Sequence, residues 1–248
     1  MKTAKKTVLI IGGSGGIGSA AARTLVDAGF RVCITYFSDT ARARKVIASF
    51  PRGAVQGYPM DAADETSVRV AMADLRTAYP VIDAVVFAPT KPVTRKPLEL
   101  LTVADYRAHL DLQVGGMLSV ARNLLPQLKA KHPIKFIVVL TEYCIGKPPV
   151  GLSDYVTAKY ALMGLSKTMA VELARYGATC NMVSPGLTDT ELLKGVPPKF
   201  IEMAAFANPM RRIGAPTDVA GVIAFLASDA AGYLNGAHIT VNGGSVMQ

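Results

Sequence analysis

The sequence predicts an α/β fold in which one doubly wound parallel sheet of about seven strands carries helices on both faces. Segments of strand length and of helix length alternate along the whole chain, which is the order that α/β proteins show. Most of the strand segments are continuous apolar runs, as strands covered on both faces require. No change in composition marks a second domain in the 248 residues, so we expect residues 1–248 to form one domain.

Seven short apolar segments are predicted to form the strands. Each is about the length of a sheet strand, and each is separated from the next by a helical segment or by a loop. They are residues 7–11, 31–35, 54–58, 82–87, 136–140, 178–183 and 237–241.

Six longer segments are predicted to form the main helices. Gly29 is expected to end the first helix, because glycine is common just beyond a helix C-terminus. Asp39 and Ser153 are expected to cap the second and fifth helices, and Pro126 to bend the fourth near its end. The segments are residues 16–28, 40–49, 65–78, 103–131, 153–176 and 216–227.

The chain carries an excess of positive charge, with 27 Lys and Arg against 18 Asp and Glu. These positive residues are dispersed, aromatic residues are few, and no nucleic-acid recognition motif is present, so we expect no nucleic acid partner. An acidic protein partner or a phosphorylated cofactor explains the charge at least as well.

No transmembrane, secretory or metal-binding segment is predicted. No apolar run approaches the roughly 18 residues of a membrane span. The first six residues lead directly into the first strand without a secretory leader, so we expect a cytoplasmic protein. Cys33, Cys144 and Cys180 lack metal-ligand spacing. Cys33 and Cys180 are expected to be buried thiols in strands, whereas Cys144, near the candidate site, is either an ordinary packed side chain or a reactive thiol.

A glycine-rich loop follows the first predicted strand and opens the first helix. Gly12, Gly16 and Gly18 have the spacing G-x-x-x-G-x-G, with Ser14 and Ile17 between them. Glycine permits the tight turn and lets the backbone approach a pyrophosphate at the helix N-terminus. In this position the loop predicts a dinucleotide-binding site at the carboxyl edge of the sheet.

Tyr155 and Lys159 are four residues apart in a predicted helix, so their side chains share one face. A nearby ammonium favours the phenolate and should lower the pKa of the tyrosine. The pair therefore predicts a proton donor or acceptor. The active-site loop, residues 141–146, follows a strand and should lie on the same edge as the glycine loop.

These motifs together identify a family. The chain resembles a short-chain dehydrogenase/reductase of the classical type, and most closely its 3-oxoacyl-[acyl-carrier-protein] reductase branch. Besides Tyr155-x-x-x-Lys159 and the glycine loop, the match includes Ser-Pro-Gly at residues 184–186, Phe-Leu-Ala-Ser-Asp at 225–229 and Val-Asn-Gly-Gly at 241–244.

The resemblance implies a Rossmann-type domain that binds NAD(P)(H) and assembles as a homodimer or homotetramer. Tyr155 would be the catalytic acid/base, and Lys159 would hold the nicotinamide ribose and tune Tyr155. The nicotinamide end would be contacted by Pro185, Gly186 and Thr188, and the adenine by Asp61 and Ala62.

The end of the second strand favours NADP(H) over NAD(H). An acidic residue there would bind the ribose 2′-hydroxyl and repel a 2′-phosphate. The chain instead has Phe37 and Ser38, and Asp39 is expected to cap the next helix. Arg42 and Arg44 in that helix are either phosphate partners or part of a solvated helix face.

Three departures from the family pattern concern the chemistry. The family serine that hydrogen-bonds the substrate carbonyl falls on Glu142, the relay asparagine falls on Gln113, and the family's Asn-Asn-Ala-Gly is replaced at residues 87–90. Thr141 could supply the missing hydroxyl. Glu142 could act as a protonated donor or second acid, or it could turn outward into solvent.

Three functions remain open at this point. The first is NADPH-dependent reduction of a ketone, including a 3-oxoacyl thioester on an acidic acyl carrier protein. The second is a lyase, dehydratase or isomerase that uses Glu142 and Tyr155 without net redox, and the third is a non-catalytic partner. Residues 187–212 are the expected substrate lid, and dispersed basic residues could attract the carrier: Arg122, Lys129, Lys131 and Arg175.

Overall fold

A computed structural model describes residues 5–247 and contains one seven-stranded sheet. All paired strands are parallel, in the order β3-β2-β1-β4-β5-β6-β7. The predicted doubly wound α/β sheet is confirmed. The strands are β1 Thr7–Ile11, β2 Arg31–Tyr36, β3 Val55–Pro59, β4 Ala84–Phe87, β5 Lys135–Val139, β6 Thr179–Pro185 and β7 His238–Val241.

Eight α-helices lie among the described residues. Gly29 follows the first with φ +89°, and Asp39 caps the second by accepting a hydrogen bond from the backbone N–H of Arg42, as predicted. The helices are α1 Gly16–Asp27, α2 Thr40–Ala48, α3 Glu65–Ala78, α4 Val103–Leu110, α5 Gly116–Lys129, α6 Ser153–Glu172, α7 Pro198–Ala207 and α8 Pro216–Ala227.

Three helix predictions need correction. The single helix predicted at 103–131 is divided into α4 and α5 by a π-helical turn, Asp111–Gly115. Ser153 is the first residue of α6 rather than its cap, and its hydroxyl lies 2.6 Å from the Tyr106 hydroxyl. Helix α7 lies inside the expected lid, where no helix was predicted. Pro126 lies within α5, which continues to Lys129.

The core has one layer on each face of the sheet, which explains the continuous apolar strands. In β1, Leu9 and Ile11 pack toward α3, α5 and α6, whereas Val8 and Ile10 pack toward α1 and α8. All five β1 residues are buried. Burying one large apolar side chain stabilises the fold by roughly 1.5–3 kcal/mol. Because such side chains are buried on both faces, this central strand is kept in register.

The strand order reverses between β1 and β4. In a doubly wound sheet such a reversal leaves a crevice beyond the carboxyl ends of the strands, because the helices following the two strands go to opposite faces. The glycine loop follows β1, the loop at 88–90 follows β4, and the active-site loop follows β5. The predicted site residues therefore converge on one edge.

Candidate functional site

The glycine loop is shaped by contacts that exclude a side chain. Gly12 has φ +77°, and a Cβ there would lie 2.8 Å from the Cα of Pro89. A Cβ on Gly18 would lie 2.4 Å from the carbonyl oxygen of Gly12. At Gly16 a Cβ would lie 2.7 Å from Cγ2 of Thr190 in the lid. The loop therefore holds β1, α1 and the lid close together.

The N-terminus of α1 has the features of a pyrophosphate site. The helix begins after Gly15 with no side-chain cap and no acidic residue in its first turn. Ser14 and Ile17 in this loop are half-buried. The exposed N–H groups and the positive end of the helix dipole suit an anion. A glycine cradle at an uncapped helix start fits the pyrophosphate of a dinucleotide.

The acidic residue that follows β2 caps the next helix. Phe37 is 65% exposed, and Ser38 is also exposed, while the Asp39 carboxylate is occupied in capping α2. Arg42 points toward the lid, with its guanidinium 3.9 Å from the carboxylate of Glu191. A cavity of about 450 Å³ lies here, and its lining includes Arg42 but not Arg44.

Asp61 and Ala62 form a turn directly after β3. The Asp61 side chain accepts a hydrogen bond of 2.9 Å from the N–H of Ala63, and its own N–H donates to the hydroxyl of Ser67. Ala62 is buried, and a Cβ on Gly116 would lie 2.4 Å from its carbonyl oxygen. The turn is therefore fixed against α5, on the side of the glycine loop expected to hold the adenine.

Residues at the expected nicotinamide end are held by backbone contacts. The N–H of Gly186 donates to the carbonyl of Val241 at 3.0 Å, and the hydroxyl of Thr188 donates to the carbonyl of Gly186 at 2.9 Å. Thr188 also forms a parallel bridge with Gly214. Pro185 ends β6, so this turn leaves the sheet beside the active-site loop.

Lys159 is a buried cation held by two hydrogen bonds. Its side chain donates to the carbonyl of Val139 at 2.8 Å and to Oε1 of Gln113 at 3.1 Å. Burial lowers the pKa of Lys159 to about 8. The ammonium lies 6.0 Å from the ring centroid of Tyr155, so the predicted pairing of the two residues is present.

Tyr155 lies near the side chain of Thr141, which acts to lower the pKa of the phenol. The expectation that Lys159 lowers the pKa of Tyr155 is wrong. Burial raises the pKa of the phenol, and this effect outweighs the lowering by Thr141. Tyr155 is therefore a protonated donor at neutral pH, as carbonyl reduction requires.

Gln113 joins two of the departures from the family pattern. Its side chain is fully buried at the π-helical turn, a distortion common at functional sites. Nε2 donates to the carbonyl of Pro89 at 2.9 Å, while Oε1 accepts from Lys159. The amide therefore ties the altered loop after β4 to the buried ammonium.

Glu142 does not turn into solvent. It is only 8% exposed, and its carboxyl group accepts a hydrogen bond from the hydroxyl of Ser245 near the C-terminus. The neighbouring Thr141 supplies the hydroxyl beside Tyr155 instead. Cys144, in the same loop, is buried, and burial raises the pKa of its thiol to about 11, which makes it a poor nucleophile.

Two site residues were missed by sequence reasoning. His109 is buried with its ring edge-on to Tyr155, at 6.1 Å between centroids. Its Nε2 lies 3.6 Å from the carboxylate of Asp154, which also accepts from the N–H of Tyr155 at 2.8 Å. Their positions in the sequence could have indicated both residues, because His109 precedes Gln113 by one helical turn and Asp154 is adjacent to Tyr155.

Residues 5–247 contain neither a candidate membrane span nor a candidate metal site. None of the helices in this range has the length and apolarity that a bilayer crossing demands. Within the same range, no cluster of three or more His, Cys, Asp and Glu side chains has a geometry that could hold a metal ion.

Known proteins are similar to this chain over nearly its full length. The model of a family described as Enoyl-(Acyl carrier protein) reductase matches residues 12–246. The chain is 28% identical over 246 residues to the 3-oxoacyl-[acyl-carrier-protein] reductase FabG of Staphylococcus aureus, covering 98% of each chain. It is 30% identical over 244 residues to a cis-4-hydroxycyclohexanecarboxylate dehydrogenase of Sinomonas cyclohexanicum, covering 97% of this chain and 96% of the relative.

The fold comparison gives the same result. A short-chain type dehydrogenase/reductase from Mycobacterium ulcerans superposes with a TM-score of 0.89 at 25% identity, over 97% of this chain and 89% of the other. Family match, relatives and fold thus agree with an oxidoreductase that uses a nicotinamide dinucleotide cofactor. The chain belongs to the short-chain dehydrogenase/reductase family of oxidoreductases.

Proposed function

We propose that this protein catalyses the NADPH-dependent reduction of a ketone to a secondary alcohol. The observation that carries the proposal is that the side chain of Thr141 and the buried ammonium of Lys159 both lie near Tyr155. Two neighbouring hydroxyl groups can both donate to one carbonyl oxygen placed between them. They lie at the same edge of the sheet as the glycine loop.

When bound, the reduced nicotinamide supplies a hydride to the carbonyl carbon. Thr141 orients the carbonyl by donating to its oxygen, and Tyr155 gives that oxygen the proton it needs as negative charge develops there. Lys159, whose ammonium lies 6.0 Å from the ring centroid of Tyr155, would hold the nicotinamide ribose beside it. Gln113 and the carbonyl of Val139 hold the ammonium in position throughout.

A test of this mechanism follows NADPH absorbance with a panel of ketones. Tyr155→Phe and Thr141→Val should each lower kcat, the latter by about 100-fold as expected for one lost oxyanion donor. Tyr160→Phe is the matched control, because Tyr160 lies on the same helix and is 43% exposed. Full activity in Tyr155→Phe would refute the proposal.

NADP(H) is the proposed cofactor because Arg42 lines a cavity together with Gly16 of the glycine loop, and Asp39, the acidic residue after β2, caps α2. Arg42→Ala should weaken NADPH binding and leave NADH binding unchanged. Arg44→Ala is the control, since Arg44 is exposed and outside the cavity. Equal weakening of both cofactors would contradict a 2′-phosphate contact, and failure to bind either would favour the non-catalytic alternative.

The proposed substrate is a 3-oxoacyl thioester, carried by an acidic acyl carrier protein. Support comes from the relative that reduces such thioesters and from the lid, where Phe200, Met203 and Phe206 are all at least 46% exposed. The second relative acts on a cyclic hydroxy acid, so the panel should include cyclic ketones. A preference for cyclic ketones would overturn the assignment of a thioester substrate, but it would be consistent with the proposed ketone reduction.

The carrier and assembly states are also proposals. Lys129, Lys131 and Arg175 lie near the carboxyl ends of α5 and α6, at the opposite edge of the sheet from Tyr155 in the same chain. A carrier that uses them would have to serve the site of another subunit, which fits the homodimer or homotetramer that the family suggests. Light scattering of the purified protein measures that state.

The lyase or isomerase alternative depends on Glu142 acting on Tyr155. The carboxyl group of Glu142 is bonded to Ser245, and Thr141 is the partner of Tyr155, which favours the reductase. Turnover without NADPH consumption that Glu142→Gln abolishes would restore the alternative.

A further inference from the structure

The carboxyl group of Glu142 lies where three segments meet. The active-site loop carries Glu142 itself, and the hydroxyl of Ser245 donates to its Oε2. A Cβ on Gly186 would lie 3.2 Å from the same oxygen and 2.9 Å from Cβ of Asn242. The side chain is therefore directed toward the ends of β6 and β7 and is enclosed there.

The residues after β7 form a compact unit, the C-terminal turn (residues 242–246). The side chain of Asn242 donates to the carbonyl of Val246 at 2.8 Å and accepts from the N–H of Gly244 at 3.2 Å. This turn also contacts the far end of the active-site loop, because a Cβ on Gly146 would lie 2.7 Å from Val246. Loop and turn are thus joined at two points.

The C-terminal turn in turn holds the lid. Asn208 ends helix α7, and its side chain donates to the carbonyl of Asn242 at 2.8 Å. A Cβ on Gly243 would lie 2.6 Å from Oδ1 of Asn208, so the backbone approaches closely here. No residue of α7 is buried, which leaves the helix with little core packing and makes its end contacts important.

We propose that Glu142 is a positioning residue that fastens the C-terminal turn to the active-site loop and, through Asn242 and Asn208, holds lid helix α7 in place. The hydrogen bond from Ser245 is the first link of this chain, and the amide of Asn208 is the last. Thr141 takes the hydroxyl role beside Tyr155, so Glu142 acts on substrate binding through the lid and not on proton transfer.

The substitution at this family position then has a physical reason. The glutamate oxygens lie two carbon atoms farther from the backbone than a serine hydroxyl and present an acceptor to Ser245. Glutamine keeps an acceptor oxygen of the same reach, whereas alanine keeps nothing. Glu142→Gln should therefore preserve the contact that Glu142→Ala removes.

Hydrogen exchange of the α7 amides tests the proposal without substrate or turnover, so its outcome is independent of the proposed reductase activity. Glu142→Ala and Ser245→Ala should each speed exchange across residues 198–207 by about tenfold, as loss of one hydrogen bond in a chain of contacts predicts. The double variant should add little, because both changes break the same link. Glu142→Gln should resemble the wild type.

Glu172→Ala, an exposed change on α6, is the matched control and should leave α7 unchanged. In the ketone assay, Glu142→Ala should raise KM while kcat and its pH profile stay within about twofold. Unchanged α7 exchange in a folded Ser245→Ala variant would overturn the proposal. A Glu142→Gln variant with unchanged α7 exchange and abolished turnover would also overturn it, because Glu142 would then act as an acid in the reaction itself.

Discussion

Replacing Gln113 by leucine should destabilise the fold and disturb the site together. The change removes the acceptor for Lys159 at 3.1 Å and the donor to Pro89 at 2.9 Å, from a side chain with no exposed surface. A hydrogen bond to a charged group contributes about 1.5–3 kcal/mol and a neutral one about 1 kcal/mol. We therefore expect a loss of about 3 kcal/mol in the free energy of unfolding.

Urea unfolding measures that loss directly, and thermal melting should show a drop of about 10 °C for a chain of this size. With the acceptor gone, the pKa of Lys159 should fall further, because the charged form loses a partner. In Gln113→Asn the amide is retained but is one methylene shorter, so only one of the two bonds can be kept and the loss should be smaller.

Gln127→Leu provides the matched control. Gln127 also bridges two segments, with hydrogen bonds to the N–H and the carbonyl of Ile82, but it lies far from the site. It should lower stability and leave kcat per folded molecule unchanged, whereas Gln113→Leu should lower both. A Gln113→Leu variant within about 0.5 kcal/mol of the wild type would refute the assignment of two buried hydrogen bonds to this amide.

Three further predictions concern the glycine loop and two buried bases. Gly18→Ala should cost about 1–3 kcal/mol, because its Cβ would overlap the carbonyl of Gly12, and an unchanged melting temperature would contradict that contact. Burial lowers the pKa of His109, so the unfolded chain binds the proton first and stability should fall as pH drops through about 6.5. Urea unfolding should show a smaller loss of stability at low pH in His109→Asn, and no such change in His132→Asn, whose residue is exposed. The same dependence of stability on pH in both variants would count against this role of His109. The pKa of Lys159 is about 8 in the fold and 10.5 ordinarily, so the unfolded chain binds the proton more tightly. Between about pH 7 and pH 9 the free energy of unfolding of the wild type should therefore rise by about 1 kcal/mol relative to that of Lys159→Met. Equal slopes of stability against pH in the two proteins would be evidence against a buried ammonium.

The departures from the family pattern are compensated within the site. The carbonyl of Pro89, in the altered loop after β4, accepts from Gln113, whose longer amide also reaches Lys159. In the proposed mechanism Thr141 takes the hydroxyl role one position earlier, and the carboxyl group of Glu142 binds Ser245 instead. In the sequence these are separate substitutions, whereas in the fold each has a partner: Gln113 contacts Pro89, and Glu142 contacts Ser245.

The sequence by itself determined the sheet, the glycine loop and the pairing of Tyr155 with Lys159. These rest on local rules: apolar runs form buried strands, glycine permits a tight turn, and residues four apart on a helix share a face. The tertiary structure alone decided the direction of Glu142 and the sign of the pKa shift at Tyr155. Those properties depend on burial and on contacts such as Ser245, which is 103 residues away along the chain. Local pattern cannot supply them, because desolvation and long-range hydrogen bonds exist only once the chain has folded.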